Sequence, residues 1–391
     1  MKLFPFATAL LVLSPVLARA DDQQAYLGIF AETSSMKMAG MPAMPALPKL
    51  PPGVKLPPQA QAMFDQGKAH RTLTVRLWSP GIAKDDAAAS LAVPEGLKQG
   101  PKLDLDIFRP RPESGNGGDQ GGQGNLPADT SMTIKQYWGS SATVKPGQPV
   151  VIEFGGLTDE QKAAIRRQAA RNRRAAGAGS YFYKPDWTTG YWPSEKQPGQ
   201  IDEDAALPGH YALTTNYTGN VDIDVPDQVN FLAPIEMSSP DLSAPIPLDQ
   251  AITFHWKSIP NILGYYAQIF GMQGQHTIIL WSSSEVKPEQ GMGFGYFGND
   301  YPQMSEVRDL VKNQIFMDSD RVEVTVPAGI FQDCDIVTFQ MVGYGPGTAL
   351  DKGQPLPRVQ TRTTLMITLG GKMMPHGRGG FSGGGTPEDN P

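Results

Sequence analysis

The side chains best suited to chemistry fall in three short segments of the chain. The first holds Met36, Met38, Met41 and Met44. Thioether sulfur is a soft donor that suits Cu(I), and methionines at this spacing can gather round one such ion in an oxidising compartment. Met373, Met374 and His376 near the C-terminus are donors of the same kind. The alternative is an extended Met- and Pro-rich segment whose sulfurs bind nothing. The second segment holds Arg166, Arg167, Arg171, Arg173 and Arg174. Guanidinium forks grip phosphate and carboxylate bidentately, so this patch suits lipid head groups, phosphorylated glycans or acidic polysaccharides. The alternative is a solvated surface whose arginines pair with Asp202, Glu203 and Asp204. The third group is aromatic. Tyr181, Phe182, Tyr183, Trp187, Tyr191 and Trp192 crowd one stretch, and Phe294, Tyr296, Phe297 and Tyr301 crowd another. On loops such rings stack on sugars or anchor a protein partner; inside a sheet they fill the core instead.

A search for catalytic apparatus returns little. His70, His210, His255, His276 and His376 are widely separated, so no local zinc pair exists, and neither a nucleophile elbow nor a phosphate-cradling glycine loop is present. Asp222, Asp224 and Asp227 match no complete calcium loop, and the reading preferred for them is solvated strand-edge carboxylates. A fold-assembled carboxylate pair of the glycosidase kind leaves no local trace in a sequence. The expectation is a chain without a cofactor, for which binding is favoured over catalysis and catalysis by such a pair stays open.

The N-terminus sets the compartment. Lys2, the apolar run Leu3 to Leu17 and the small-x-small triplet Ala18-Arg19-Ala20 are laid out as a secretory signal peptide. The run is short and interrupted by Pro5 and Pro15, which points to cleavage rather than to a membrane span. Cys334 is the one cysteine, so an exported chain would hold its cores by burial without an internal disulfide. The net charge of −6 argues against a nucleic-acid binder, and 43 glycines with 36 prolines mark a chain of many turns and short strands.

The elements that must position these residues read mainly as strands. Leu73, Val75 and Leu77 alternate with polar neighbours, as do Leu103, Leu105 and Ile107, then Ile252, Phe254 and Trp256, then Val322, Val324 and Val326. Tyr26 to Phe30 forms an isolated first strand, and residues 34–60 form an extended linker. Thr158 with Gln161 fits a capping box opening a polar surface helix over 158–176, and Ser305 to Gln314 fits a short inserted helix. Leu207-Pro208-Gly209-His210-Tyr211 resembles the tyrosine corner of immunoglobulin-like and fibronectin-type sandwiches, in which the tyrosine hydroxyl bonds to nearby backbone. Pro247 to Trp256 followed by Tyr265 resembles the opening strands of a fibronectin type III domain, with Trp256 and Tyr265 packed together. Val337 departs from that family, which places its corner tyrosine there.

The expectation is therefore an all-β chain. It runs as a signal peptide (1–20), an N-terminal strand and Met/Pro-rich linker (21–69), two sandwich domains of immunoglobulin or fibronectin type III kind (70–227, carrying the helix, and 228–370), and a Gly-rich tail (371–391). The expected function is an exported binding or structural protein of the cell envelope, periplasmic or extracellular. Its partner would be an envelope glycan, a lipid head group or a protein. A Cu(I)-handling protein and a glycan-active hydrolase are the alternatives.

Overall fold

The structure is a computed structural model, and it describes residues 24–40, 68–109, 132–153, 186–194, 197, 199, 201–288 and 301–372. Their regular structure is nearly all strand, with one α-helix. The first half supplies β1 (Tyr26–Met38), β2 (Ala69–Ser79), β3 (Ala89–Ala92), β4 (Lys102–Phe108), β5 (Thr133–Trp138), β6 (Val150–Glu153), β7 (Thr188–Trp192), β8 (Gly209–Thr215) and β9 (Val221–Val225). The second supplies β10 (Met237–Ser239), β11 (Ile252–Trp256), β12 (Gly264–Gln273), β13 (Thr277–Ser282), β14 (Glu323–Val326), β15 (Ile336–Ala349) and β16 (Leu356–Gly370), with helix α1 (Met304–Lys312) between β13 and β14.

Hydrogen bonding joins 13 strands in the order β6-β5-β13-β12-β15-β16-β1-β2-β7-β4-β3-β8-β9, and β10-β11-β14 form a separate small sheet. The pairing crosses the boundary expected at 227/228. Strand β5 pairs in parallel with β13, Thr133 beside Thr277, and β1 lies parallel to β16 on one side and antiparallel to β2 on the other.

Two cores lie against this continuous sheet. In one, the small sheet faces β12, β13, β15 and β16. Phe254 stacks on Phe339 with centroids 4.1 Å apart, and Trp256 meets Tyr265 edge-on at 5.5 Å. Val337 and Cys334 are buried there as well. In the other, the sheet folds back on itself at β4, where Lys102 to Leu105 pair with β3 and Asp106 to Phe108 pair with β7. Leu27, Ile29 and Ala31 of β1 face this second core together with Leu91, Leu103, Trp192, Tyr211 and Val359. The Tyr211 hydroxyl donates to the Leu207 carbonyl at 2.7 Å.

The structure alters two local expectations. The linker expected over 34–60 begins as strand: β1 continues through Met36 and Met38, which lie beside Met366 and Thr368 of β16. Residues 188–192, read as an aromatic loop, form β7. The short helix expected over 305–314 is α1, opened by a reciprocal cap between Gln303 and Glu306 and held to the sheet through Val307, Phe316, Tyr266 and Tyr344. The helix expected over 158–176 lies outside the described residues.

Candidate functional site

Alternation along β1 builds the site. Odd-numbered side chains from Leu27 to Ala31 enter the second core, so Tyr26, Gly28, Phe30 and Glu32 take the opposite, outer face of the sheet. Phe30 is the centre of an aromatic cluster there. Tyr301 lies over it at 4.6 Å, Trp78 of β2 meets it edge-on at 6.2 Å, and Tyr26 stacks on Trp187 at 6.3 Å. The Phe30 ring covers Gly28 so closely that a Cβ at Gly28 would stand 2.4 Å from it. Any larger residue at 28 would displace the ring.

An ionic network continues the cluster. Glu32 takes two hydrogen bonds from Arg362, from Nε at 3.0 Å and Nη2 at 2.7 Å, and one from the Thr364 hydroxyl at 2.7 Å. The Tyr301 hydroxyl also donates to Glu32 at 3.3 Å, and the Arg362 guanidinium lies 4.1 Å from the Tyr301 ring centre. Burial alone would lower the Arg362 pKa, but Tyr301, Glu32 and Tyr344 outweigh it and hold the guanidinium charged above its ordinary range. Burial, with Glu32 adding to it against Arg362, pushes the Tyr301 phenol far up, so it stays protonated. Arg358 donates to the Tyr301 carbonyl at 3.1 Å, and Gln360 donates to the Pro302 carbonyl at 2.5 Å. The arrangement acts as a clamp. The carboxylate with its three donors, Arg358 and Gln360 together fix residues 301 and 302 on the sheet.

The other aromatic segment is fixed just as firmly. The Thr188 hydroxyl donates to the Gly81 carbonyl at 2.9 Å and accepts from the Ala83 amide at 2.7 Å. Arg76 donates to the Trp192 carbonyl at 2.8 Å, and its guanidinium lies 5.7 Å from the centre of the Tyr191 ring. Burial pulls Arg76 down to about 10, with Tyr191 acting against the shift, so the cation persists at neutral pH. Beside this region, at the end of β2, a cleft of about 330 Å³ is lined by Ala25, Ser79, Pro80, Gly81, Tyr217, Thr218 and Gln354.

The sequence-derived candidates therefore divide. Trp187, Trp192 and Tyr301 are buried and offer no ring face to solvent, because alternation in β7 and the Phe30 cluster absorb them. Tyr191 is half-buried on Arg76. Tyr181, Tyr183, Phe294, Tyr296 and Phe297 lie outside the described residues, as do Arg166, Arg167, Arg171, Arg173, Arg174, Met41 and Met44. Asp204, one carboxylate considered for those arginines, pairs with Lys98. Asp222 and Asp224 are exposed along β9, where Asp224 lies 2.8 Å from His210 Nδ1. Among the described residues no group of three or more His, Cys, Asp or Glu side chains is gathered as metal ligands. Cys334 is buried, and burial with Asp335 and Asp333 pushes its thiol up to about 11.

Sequence reading missed Phe30, Trp78, Glu32, Arg358 and Arg362. A signal did exist: Arg358, Gln360, Arg362 and Thr364 stand two apart, the spacing of one strand face. It reads as a solvated face until a carboxylate on the next strand is seen opposite. No protein-family model matches the chain, and no curated protein sequence is significantly similar to it.

Proposed function

We propose that the chain is an exported, non-enzymatic binding or structural protein of the cell envelope. It works in the periplasm or outside the cell, and its partner is an envelope glycan, a lipid head group or a protein. Recognition runs through the aromatic segments around 181–192 and 291–301, with the arginines of 166–174 as an electrostatic aid. One observation supports this reading above others: the described ends of the two aromatic segments meet in the cluster around Phe30, Trp187 stacked on Tyr26 and Tyr301 packed at a tilt against Phe30. Tyr183 precedes Trp187 by four residues, and Phe297 precedes Tyr301 by four. Two segments over a hundred residues apart in sequence are thus rooted at one place, and binding loops are best presented from a rigid scaffold.

We read the scaffold as two sandwich-type halves of immunoglobulin or fibronectin type III kind. A three-stranded sheet facing β13-β12-β15-β16, the Trp256–Tyr265 contact and the Tyr211–Leu207 bond support that reading. Among the described residues no helix is long and apolar enough to cross a membrane. The test is co-sedimentation of the processed protein with glycan and membrane fractions of the envelope, beside an assay for released reducing sugar. Binding without turnover is expected; sugar release would favour the hydrolase, and neither would defeat the proposal.

A further inference from the structure

The same alternation that sends Phe30 and Glu32 outward sends Met36 and Met38 outward, at the exposed end of β1. Leu365, Ile367 and Leu369 of β16 face the first core, so Met366 takes the outer face, as the Thr364–Glu32 bond confirms for its neighbour. Met36 pairs with Met366 in the parallel register of β1 and β16. Neighbouring strands lie about 4.8 Å apart, and residues two apart on a strand lie about 6.6 Å apart, so three methionines occupy adjoining positions on one face. Met36 is 57% exposed and Met38 39% exposed, and Met366 is partly exposed. Methionine has three rotatable bonds before its methyl group, so sulfurs anchored this close can turn towards one point. His70 of β2, opposite Ser34, brings an imidazole to the same face, diagonal to Met36.

We infer that Met36, Met38 and Met366 form a binding site for Cu(I). Three thioethers are a soft, uncharged donor set, which selects Cu(I) over the hard cations that prefer carboxylate and over metals that need thiolate. The chain's one thiol is buried and stays protonated well above neutral pH, so it offers no competing ligand. Met366 distinguishes this site from a metal-binding tail or linker: the fold brings it next to Met36 from 330 positions away.

The test is anaerobic titration of the whole processed protein with Cu(I) against a chromophoric Cu(I) chelator, with X-ray absorption on the loaded protein. One ion per chain with sulfur neighbours is expected, with affinity falling at least tenfold in both Met36→Leu and Met366→Leu and unchanged in the paired variant Met41→Leu with Met44→Leu. These side chains are exposed or partly so, and unaltered circular dichroism and urea midpoints are expected to show that each variant folds. Absence of stoichiometric uptake overturns the assignment. So does uptake that survives Met36→Leu, Met38→Leu and Met366→Leu together, whether it depends on Met41 and Met44 or on residues elsewhere. Neither result bears on the aromatic binding surface, which contains none of these methionines.

Discussion

Glu32 is the residue on which the outer face turns. Its Arg362 partner has a side chain only 7% exposed, so Glu32→Ala leaves a buried guanidinium without its carboxylate. Breaking a buried pair from one side costs about 3–5 kcal/mol, and urea unfolding is expected to register a loss of that size. Tyr211→Phe removes one hydrogen bond to the buried Leu207 carbonyl, and a loss of about 1–2 kcal/mol is expected in the same measurement. Cys334 gives a pH signature. Its thiol titrates near about 11 in the fold against an ordinary value of 9.0. Between those values the unfolded chain releases a proton that the folded chain keeps, so this residue's contribution to stability declines as pH rises through that window. Cys334→Ala is expected to flatten that part of the profile, and the native thiol is expected to resist a thiol reagent at pH 8 until the protein unfolds. At this scale the sequence was partly legible. Tyr211, Trp256 and Tyr265 announce themselves by neighbouring turn residues and alternation. Glu32 and Arg362 do not, because only strand pairing reveals that each has the other.

Among the elements, β1 carries most of the arrangement. It pairs along its whole length with β16 and through Ser35 with β2, and it supplies the inner face of one core and the outer aromatic cluster at once. Gly28→Val would drive a branched side chain into the Phe30 and Trp78 rings, and a loss of about 1–3 kcal/mol in urea unfolding is expected, with a change in near-ultraviolet aromatic signal. Strands whose two faces differ in polarity were easy to read: β11 and β14 alternate as half-buried strands do. The far end of β1, the first half of β16 and β7 were not. The outer face of β1 and β16 carries Glu32, Arg362 and Thr364, which bond to one another, and Arg358, which bonds to the Tyr301 carbonyl, so the alternation signal vanishes there. In β7, Thr188-Thr189-Gly190 hid a strand behind residues that usually mark a turn.

Across the whole molecule, one sheet serves two cores. One core draws on residues 232–369 and the other on residues 27–231 with Val359. Nothing in the sequence signalled that β5 and β6 leave their neighbours to pair beside β13, because strand pairing partners far apart in sequence leave no local mark. Burial in either core should therefore support the same folded unit. Leu91→Ala and Phe254→Ala, one in each core, are expected to lower a single shared unfolding transition, whereas independent halves would show two. The binding proposal rests on that rigidity, which lets two aromatic segments act from one root. Its most direct test is calorimetric titration of the processed protein with solubilised envelope glycan and with anionic vesicles, comparing Tyr183→Ala and Phe297→Ala with the unaltered chain. Saturable binding to one of these, weakened on the order of tenfold by both substitutions while the unfolding midpoint holds, is the expected result. Binding that is indifferent to both substitutions would contradict the account.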